Sequence, residues 1–203
     1  MTTIKHIQTL GHFLANYNSD LNYISNFQTN KRLDFSDENY IKKSVGTFYK
    51  FLIEFKVIRN VRKDKTIEVL NLTRQWIISN EANNVDKFAS ELKLFELTQD
   101  KKTMVSLASK ILFLNNPYEI FPLDIRAKAS LSYKSNIYSD FLILVQDFIY
   151  KNENLINECL SNVNRLYSLI EYDYNSAFEN IDIIRKNRFV DKLLWNGLKE
   201  ETK

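Results

Sequence analysis

The scarcity of glycine and proline is the feature of this sequence that most restricts its fold. Among 203 residues there are only 3 glycines and 2 prolines, against average usage of about 7% and 5%. Turn-rich β folds, collagen-like chains and disordered low-complexity segments need more of one or both. Walker and dinucleotide loops need several glycines in one short turn, and Gly11, Gly46 and Gly197 are far apart. The sequence therefore predicts a mainly α-helical protein.

The counts of cysteine and histidine exclude several common kinds of site. The single Cys159 cannot form an internal disulfide or supply a cysteine zinc site. Both histidines, His6 and His12, lie near the start of the chain, so a histidine metal site or a catalytic triad would have to include that segment. We therefore expect no metal and no cofactor. Any catalysis would depend on Asp, Glu, Lys, Arg, Tyr or Ser side chains.

No segment has the character of a signal peptide or the length of a membrane span. The first ten residues include Lys5, His6 and Gln8 and lack an apolar core. The longest apolar run, 141–145, is far shorter than the roughly 20 apolar residues that cross a bilayer. The sequence thus predicts a cytoplasmic protein with no membrane partner.

Apolar residues recur at three- and four-residue steps along most of the chain, which is the pattern of a buried helix face. The first series predicts one helix, or two helices broken near residues 18–20; its members are Ile4, Ile7, Leu10, Phe13, Leu14, Tyr17, Leu21 and Ile24. The cluster Ser36-Asp37-Glu38 can cap a further helix, predicted to run from about Tyr40 to Phe55. From Val85 onward only helices are predicted: one ends at 115–117, and the apolar stretch 137–150 is expected to be a central core helix.

The segment 57–70 departs from the helical period. Two runs rich in β-branched residues, 57–62 and 66–70, flank polar residues, a pattern typical of a short, basic β-hairpin. A helix followed by a basic hairpin is the arrangement of a winged-helix module. The sequence therefore predicts an N-terminal helical and hairpin subdomain at 1–80, with a winged helix as one interpretation. A helical domain is predicted at 85–203, after an Asn-rich linker.

The net charge of +3 is small, but the basic residues are unevenly distributed. Residues 42–65 have a basic excess of about six, and a second basic stretch runs through 100–134. Clustered Lys and Arg beside Tyr and Phe is typical of nucleic-acid-binding proteins, although a solvated helix face gives a similar pattern. Arg185 and Arg188 are expected in surface ion pairs one turn away. The candidate contacts to DNA, expected to be duplex, are Lys42, Lys43, Arg59, Arg62, Lys63, Lys101, Lys102, Lys110, Arg126 and Lys128.

The most specific stretch is 106–126, which holds both prolines of the chain. Pro117 ends one helix and Pro122 keeps the connection extended, so Asp124 stands where the next helix begins and can cap its free amides. The motif elements are Ala-Ser-Lys (108–110), Asn-Pro (116–117), Phe-Pro (121–122) and Asp-Ile-Arg (124–126). Together with the helix at 185–195, they resemble bacterial proteins of the oxoguanine DNA glycosylase-like fold and, more distantly, the helix-hairpin-helix DNA glycosylase superfamily.

The resemblance implies a DNA-binding hydrolase of DNA repair or phage defence, with Asp124 as its catalytic carboxylate. In that superfamily the matching Asp stabilises positive charge that develops on the sugar as the base leaves, or orients the attacking water. An anion is the appropriate group beside an oxocarbenium-like centre. Tyr118 and Tyr133 are candidates to stack on an extruded base. Asp124 also has a purely structural interpretation, as a helix cap.

Two departures from the superfamily pattern bear on the reaction. Its members bind a DNA phosphate with a glycine-rich hairpin, whereas residues 99–103 contain no glycine. Its bifunctional members carry a Schiff-base lysine where this chain has Ser106, and Lys110 lies one helical turn later. The departures therefore favour a monofunctional enzyme without a lyase step, or an inactive relative. The alternatives are a non-catalytic nucleic-acid-binding or protein-interaction module of helical or winged-helix type, and a purely structural helical subunit.

Overall fold

The computed structural model describes residues 4–30, 47–62 and 64–197, and these residues are mainly α-helical, as the composition predicts. The helices are α1 (Ile4–Asn30), α2 (47–54 in its described part), α3 (Thr66–Trp76), α4 (Val85–Leu94), α5 (Val105–Asn115), α6 (Ile125–Ser130), α7 (Tyr138–Lys151), α8 (Glu153–Ser161), α9 (Asn164–Glu171) and α10 (Ile181–Asn196). Short 3₁₀ turns are Ile58–Asn60, Gln99–Lys101 and Tyr172–Tyr174. α1 is one continuous helix of 27 residues. The predicted cap at 36–38 lies outside the described residues.

The segment 57–70 forms no β-hairpin, so that prediction is wrong. Ile58–Asn60 is a 3₁₀ turn and α3 begins at Thr66. In the described part of the chain, the β-type pairing is a single bridge between Val61 and Thr98. The hairpin prediction fails because the apolar residues from 66 onward keep a helical period that continues past residue 70. The buried positions on that face of α3 include Thr66, Val69, Leu70 and Thr73. Without the hairpin there is no wing, and the winged-helix interpretation loses its support.

Two compact units make up the chain. One, here called the continuous unit, comprises Asn22–Pro122; the other, the discontinuous unit, combines Met1–Leu21 with Leu123–Lys203. The division falls within α1, which therefore supplies residues to both units. The boundary expected at 80–85 lies inside the continuous unit, where α3 and α4 are in contact. The predicted division thus does not coincide with the compact units.

α5 is the core helix of the continuous unit. Nine of its eleven residues are buried, and it packs along α4. Its Phe113 approaches Phe55 with ring centroids 6.3 Å apart, and Phe55 in turn lies 4.3 Å from Phe51 of α2. The helix that holds the Ala-Ser-Lys element (108–110) of the glycosylase-like motif is therefore also the hydrophobic centre of its unit.

α7 is a one-sided helix and not the central core helix that its composition predicts. It buries Tyr138, Phe141 and Val145. Ile143 and Tyr150, on other sides of the same helix, are exposed. This helix carries apolar residues on all sides, but only one side of it is buried.

In the core of the discontinuous unit, the first helix of the chain, α1, packs against the last, α10. Phe13 of α1 packs against Phe189 of α10 with ring centroids 5.7 Å apart. In the same unit the fully buried Arg188 donates a hydrogen bond from Nε to Asp20 Oδ2 (2.8 Å), and its Nη1 lies 3.2 Å from Asp191 Oδ2. Burial opposes the charge on Arg188, but these two carboxylates hold its pKa above the ordinary value.

A second charged network anchors α9 to the same core. Arg185 donates hydrogen bonds from Nε and Nη2 to the two oxygens of buried Glu171, at 2.6 and 2.5 Å. Glu171 Oε1 also accepts a hydrogen bond from Tyr17 OH (2.7 Å). The sequence predicts surface ion pairs for Arg185 and Arg188, and that location is wrong. The expected pairs form, but both guanidinium groups are enclosed by the fold.

Candidate functional site

Asp124 caps the first turn of α6, as the sequence predicts. Its Oδ1 accepts hydrogen bonds from the backbone N–H groups of Arg126 (2.8 Å) and Ala127 (2.9 Å). Its own backbone is extended, with φ −138° and ψ 173°. The side chain is partly exposed, and no described residue donates a hydrogen bond to Oδ2. One carboxylate oxygen is therefore used for capping, and the other remains available for contact with a ligand.

Two cationic side chains follow Asp124 on α6. Arg126 is exposed, and its guanidinium carbon lies 3.9 Å from the centroid of the Trp195 ring, in a cation–π contact. Lys128 Nζ donates a hydrogen bond to Asn136 Oδ1 (2.6 Å). The structure thus brings three predicted site residues together at one short helix and its cap. The Trp195 ring stacks against the guanidinium of Arg126.

The two tyrosines predicted to stack on a base are partly buried and already contact protein groups. Tyr133 OH donates a hydrogen bond to a backbone carbonyl four residues further on (2.6 Å), and Lys128 Nζ lies 5.6 Å from the centroid of its ring. Tyr118 follows α5, where its backbone N–H donates to Asn116 Oδ1 (3.2 Å). Tyr133 belongs to the discontinuous unit and Tyr118 to the continuous unit.

Two loops of the continuous unit are joined side by side, and both carry basic residues. They meet at the bridge between Val61 and Thr98. Two hydrogen bonds to backbone carbonyls reinforce the bridge, one from the N–H of Arg62 (3.0 Å) and one from Gln99 Nε2 (3.1 Å). We name residues 55–62, 64–65 and 95–104 the two-loop surface. Contact between them could not be expected from a hairpin confined to 57–70.

Cations and carboxylates alternate on the two-loop surface. Arg62 nitrogens lie 3.9 Å from oxygens of Asp64 and Glu96, and Lys102 Nζ lies 3.3 Å from a third carboxylate. These side chains are largely exposed, and such pairs contribute only about 0–1 kcal/mol each. Arg59 is exposed and forms no ion pair with a described residue. Ion pairs thus link the two loops only weakly, and the close pair of Lys65 Nζ with Glu68 Oε1 (2.7 Å) lies within one chain segment.

Lys110 is not available as a DNA contact. It is 8% exposed in the middle of α5, and its ammonium donates a hydrogen bond to the carbonyl of Phe55 (3.0 Å). Because α5 is the core helix of its unit, this lysine is enclosed, and the prediction that places it on DNA is wrong. Four further predicted contacts lie outside the described side chains: Lys42, Lys43, Lys63 and Lys101.

Residues 99–103, where the glycosylase resemblance implies a glycine-rich hairpin, contain a 3₁₀ turn with one left-handed residue. Asp100 has φ 55° and ψ 16°, a conformation that glycine adopts readily and that Asp tolerates better than most residues. The Thr98 hydroxyl closes the turn by donating to the carbonyl of Lys102 (2.7 Å). A left-handed backbone residue is therefore present in this turn although glycine is not.

Phe95 is an exposed aromatic residue of the two-loop surface that the sequence pattern misplaces. Its helical spacing from Phe88 and Leu92 assigns it to the buried face of α4. α4 ends at Leu94, however, and Phe95 is 57% exposed. Helical spacing alone carried no signal for this exposure, because it depends on where α4 ends.

The fold and the site together define a mainly helical protein with two joined basic loops and a partly exposed, capping aspartate. No family model, curated protein or solved structure matches this chain. Within the described ranges, no helix is both long and apolar enough to cross a membrane. Those ranges also hold no group of three or more His, Cys, Asp or Glu side chains that could bind a metal ion. The glycosylase resemblance rests on the motif residues themselves.

Proposed function

We propose that this chain binds DNA through the two-loop surface. One observation carries the proposal: the bridge between Val61 and Thr98 brings together basic segments that are separate in sequence. The basic residues of the two segments whose side chains the structure describes are Lys56, Arg59, Arg62, Lys65 and Lys102. Neutralising several neighbouring phosphates requires cations grouped in this way.

The ion pairs of the two-loop surface are weak enough to be exchanged for DNA phosphates. Exposed pairs contribute little, whereas each phosphate contact releases counterions from DNA and favours binding at low salt. Arg62, at 3.9 Å from its carboxylates, is held by neither of them closely. Phe95 adds an exposed ring on which an unpaired base can stack. This combination supports a salt-sensitive contact with little sequence preference.

The test is the binding of labelled duplex and single-stranded DNA, measured by fluorescence anisotropy at about 50 and 200 mM salt. The double variant Arg59→Glu/Lys102→Glu removes two cations from the two-loop surface. We expect it to weaken binding at least about tenfold at the lower salt concentration, and to reduce the salt slope by about 2.

The matched control is Lys5→Glu/Lys151→Glu, which makes the same change in net charge at exposed positions of the discontinuous unit, away from the basic stretches. We expect its affinity for DNA to stay within about threefold of the wild type, because only long-range attraction is lost. Equal weakening by both double variants would show that net charge, and not the two-loop surface, determines binding. No binding of either DNA at about 50 mM salt would refute the proposal.

A second candidate function, hydrolytic release of a modified or damaged base, is favoured by the state of Asp124. The two amide hydrogen bonds to Oδ1 fix the orientation of the carboxylate. Oδ2 takes no hydrogen bond from a described residue, so it can face a sugar that becomes positively charged. Ser106 stands where bifunctional glycosylases have a lysine, which favours hydrolysis over a lyase step. This candidate depends on the glycosylase resemblance as well as on the cap geometry.

A further inference from the structure

α9 and the 3₁₀ turn that follows it carry an apolar face that points away from the protein core. Leu166, Leu169 and Tyr172 are 51%, 75% and 79% exposed. The opposite side of this segment is anchored, because Arg185 donates hydrogen bonds from Nε and Nη2 to the carboxylate of buried Glu171. The exposed face is therefore fixed in position, and the described residues leave it uncovered.

Five residues share this face, which we call the α9 face. At about 100° per residue they fall within an arc of about 120° that is centred on Leu169. The five are Arg165, Leu166, Leu169, Tyr172 and Asp173. All but Leu166 also border a shallow surface groove. The face is thus an apolar centre with one charged residue at each end.

The order of residues on the α9 face is symmetric about Leu169. Arg165 and Asp173 lie four residues before and after it, and Leu166 and Tyr172 lie three residues before and after it. The two opposite charges are separated by about 12 Å along the helix axis. Both charged side chains are exposed, and neither forms an ion pair with a described residue.

We propose that the α9 face binds the α9 face of a second copy of this chain in an antiparallel, two-fold arrangement. A two-fold axis through Leu169 sets Arg165 of each copy against Asp173 of the other, so the ion pair forms twice. The same axis sets Leu166 against Tyr172 of the other copy, around a central Leu169 contact. A parallel arrangement would instead place like charges opposite each other. The charge order therefore selects the antiparallel dimer.

The expected dimer is reversible and of moderate affinity. An interface centred on one short helix belongs to the small class of specific interfaces, below about 1,200 Å² in total, so association is expected at roughly 10 to 500 μM chain. The flanking ion pairs would lie at the exposed rim, where salt screens them. This inference goes beyond DNA binding and does not depend on it.

The test is sedimentation velocity without nucleic acid across that concentration range, on the full chain. Arg165→Glu and Asp173→Lys each create two like-charge contacts across the two-fold axis, and we expect each to raise the dissociation constant at least about tenfold. The double variant Arg165→Glu/Asp173→Lys exchanges the charges and should restore the wild-type value. Both changes also suit the helix dipole, with an anion in the first turn and a cation beyond the last, so folding should be retained.

A mixing experiment shows whether the charges act between copies. An equimolar mixture of the Arg165→Glu chain with the Asp173→Lys chain can form two ion pairs in a heterodimer, although neither chain pairs with itself. We expect the mixture to sediment as a dimer at concentrations where each variant alone is a monomer. Leu169→Ser should abolish association, because it removes the apolar centre.

Exposed positions elsewhere provide the controls. Ile78→Ser, at an exposed residue of the continuous unit, should leave the dissociation constant unchanged. Three results would overturn the proposal: a wild-type chain that is monomeric at about 500 μM, single charge variants that associate like the wild type, or a folded double variant that is not restored. Circular dichroism melting curves identify any variant that fails to fold.

Discussion

At the scale of a single residue, the two carboxylate oxygens of Asp124 are in different situations. Oδ1 accepts two amide hydrogen bonds and holds the start of α6, while Oδ2 accepts none from the described residues. A capping carboxylate and a catalytic carboxylate would both have this geometry. The two roles can be separated because capping requires only an oxygen acceptor, whereas stabilising a sugar cation requires a negative charge.

Asp124→Asn therefore separates the two roles. Asn caps helices about as well as Asp, so we expect the melting temperature to change little. If Asp124 is catalytic, the rate of base release falls by about 10²–10³, as is typical when a preorganised charge is lost. The measurement is single-turnover cleavage of duplexes that carry oxidised or alkylated bases, combined with thermal melting. DNA affinity should hold or increase slightly, since one anion has been removed.

Asp124→Ala is the companion variant, which should lose about 1 kcal/mol of stability with the cap. A fully active Asp124→Asn protein on a substrate that the wild type cleaves would contradict the catalytic role. The residue would then be a structural cap, as the alternative interpretation of the sequence holds.

At the scale of helices, the scarcity of glycine affects the residues at their C-terminal ends. Helices often finish with a left-handed residue, and that residue is usually glycine. Here Lys56, Glu96 and Ser132 take this position, with φ of 56°, 53° and 53°. After α6, the N–H of Tyr133 donates to the carbonyl of Lys128 (2.8 Å), which is the hydrogen bond expected of such an end. The chain thus uses strained residues where most proteins use glycine.

Ser132→Gly should stabilise the protein. A left-handed conformation costs a residue with a side chain roughly 1–2 kcal/mol, and glycine relieves this strain. The greater conformational freedom of glycine in the unfolded chain offsets about 0.4–1 kcal/mol of the stabilisation. We expect an increase of about 0.5–1 kcal/mol in the free energy of unfolding, measured by urea denaturation.

Ser132→Ala is the control, because alanine retains the strain and removes the exposed hydroxyl. It should give no stabilisation. If both variants stabilise the protein equally, relief of backbone strain is not the cause.

Much of the helical structure follows from residue periodicity, and the errors have physical causes. The end of α5 before Pro117 and the cap at Asp124 were both predictable, because proline and aspartate act through local backbone chemistry. The prediction of a hairpin at 57–70 failed because β-branched residues also occur in buried helices, where packing outweighs their propensity. The contact between Val61 and Thr98 was beyond a sequence argument, since it joins loops that are distant in the chain.

At the scale of the whole molecule, the discontinuous unit depends on a buried ion pair between its two chain segments. Asp20 and Arg188 are 168 residues apart in sequence and 2.8 Å apart in space. The sequence contains eight arginines, but it could not show which of them are enclosed, because burial is decided by the complete set of neighbours. Arg59 remains exposed while Arg188 is fully buried.

Asp20→Asn should cost about 3 kcal/mol in the free energy of unfolding, because it leaves a buried guanidinium with less compensation. Asp191 remains 3.2 Å from Nη1, so the cost should lie at the lower end of the range for broken buried pairs. The measurement is equilibrium denaturation at neutral pH.

The triple variant Asp20→Leu/Arg188→Met/Asp191→Asn removes all three charges of this network, including the carboxylate of Asp191 that would otherwise lose its partner. It should be less destabilised than Asp20→Asn, since uncharged residues of similar volume often replace buried pairs well. A loss below about 1 kcal/mol for Asp20→Asn would show that the pair contributes no more than an exposed one.

During translation, Asp20 and Arg188 are synthesised far apart in time. At about 5–20 residues per second, roughly 8 to 34 seconds pass between the synthesis of one and of the other. The continuous unit emerges whole during that interval and can fold first. The helix face that contains Phe13, Tyr17 and Leu21 has no completed core to enter until α10 arrives. The nascent chain is therefore expected to present this apolar face to chaperones for most of its synthesis.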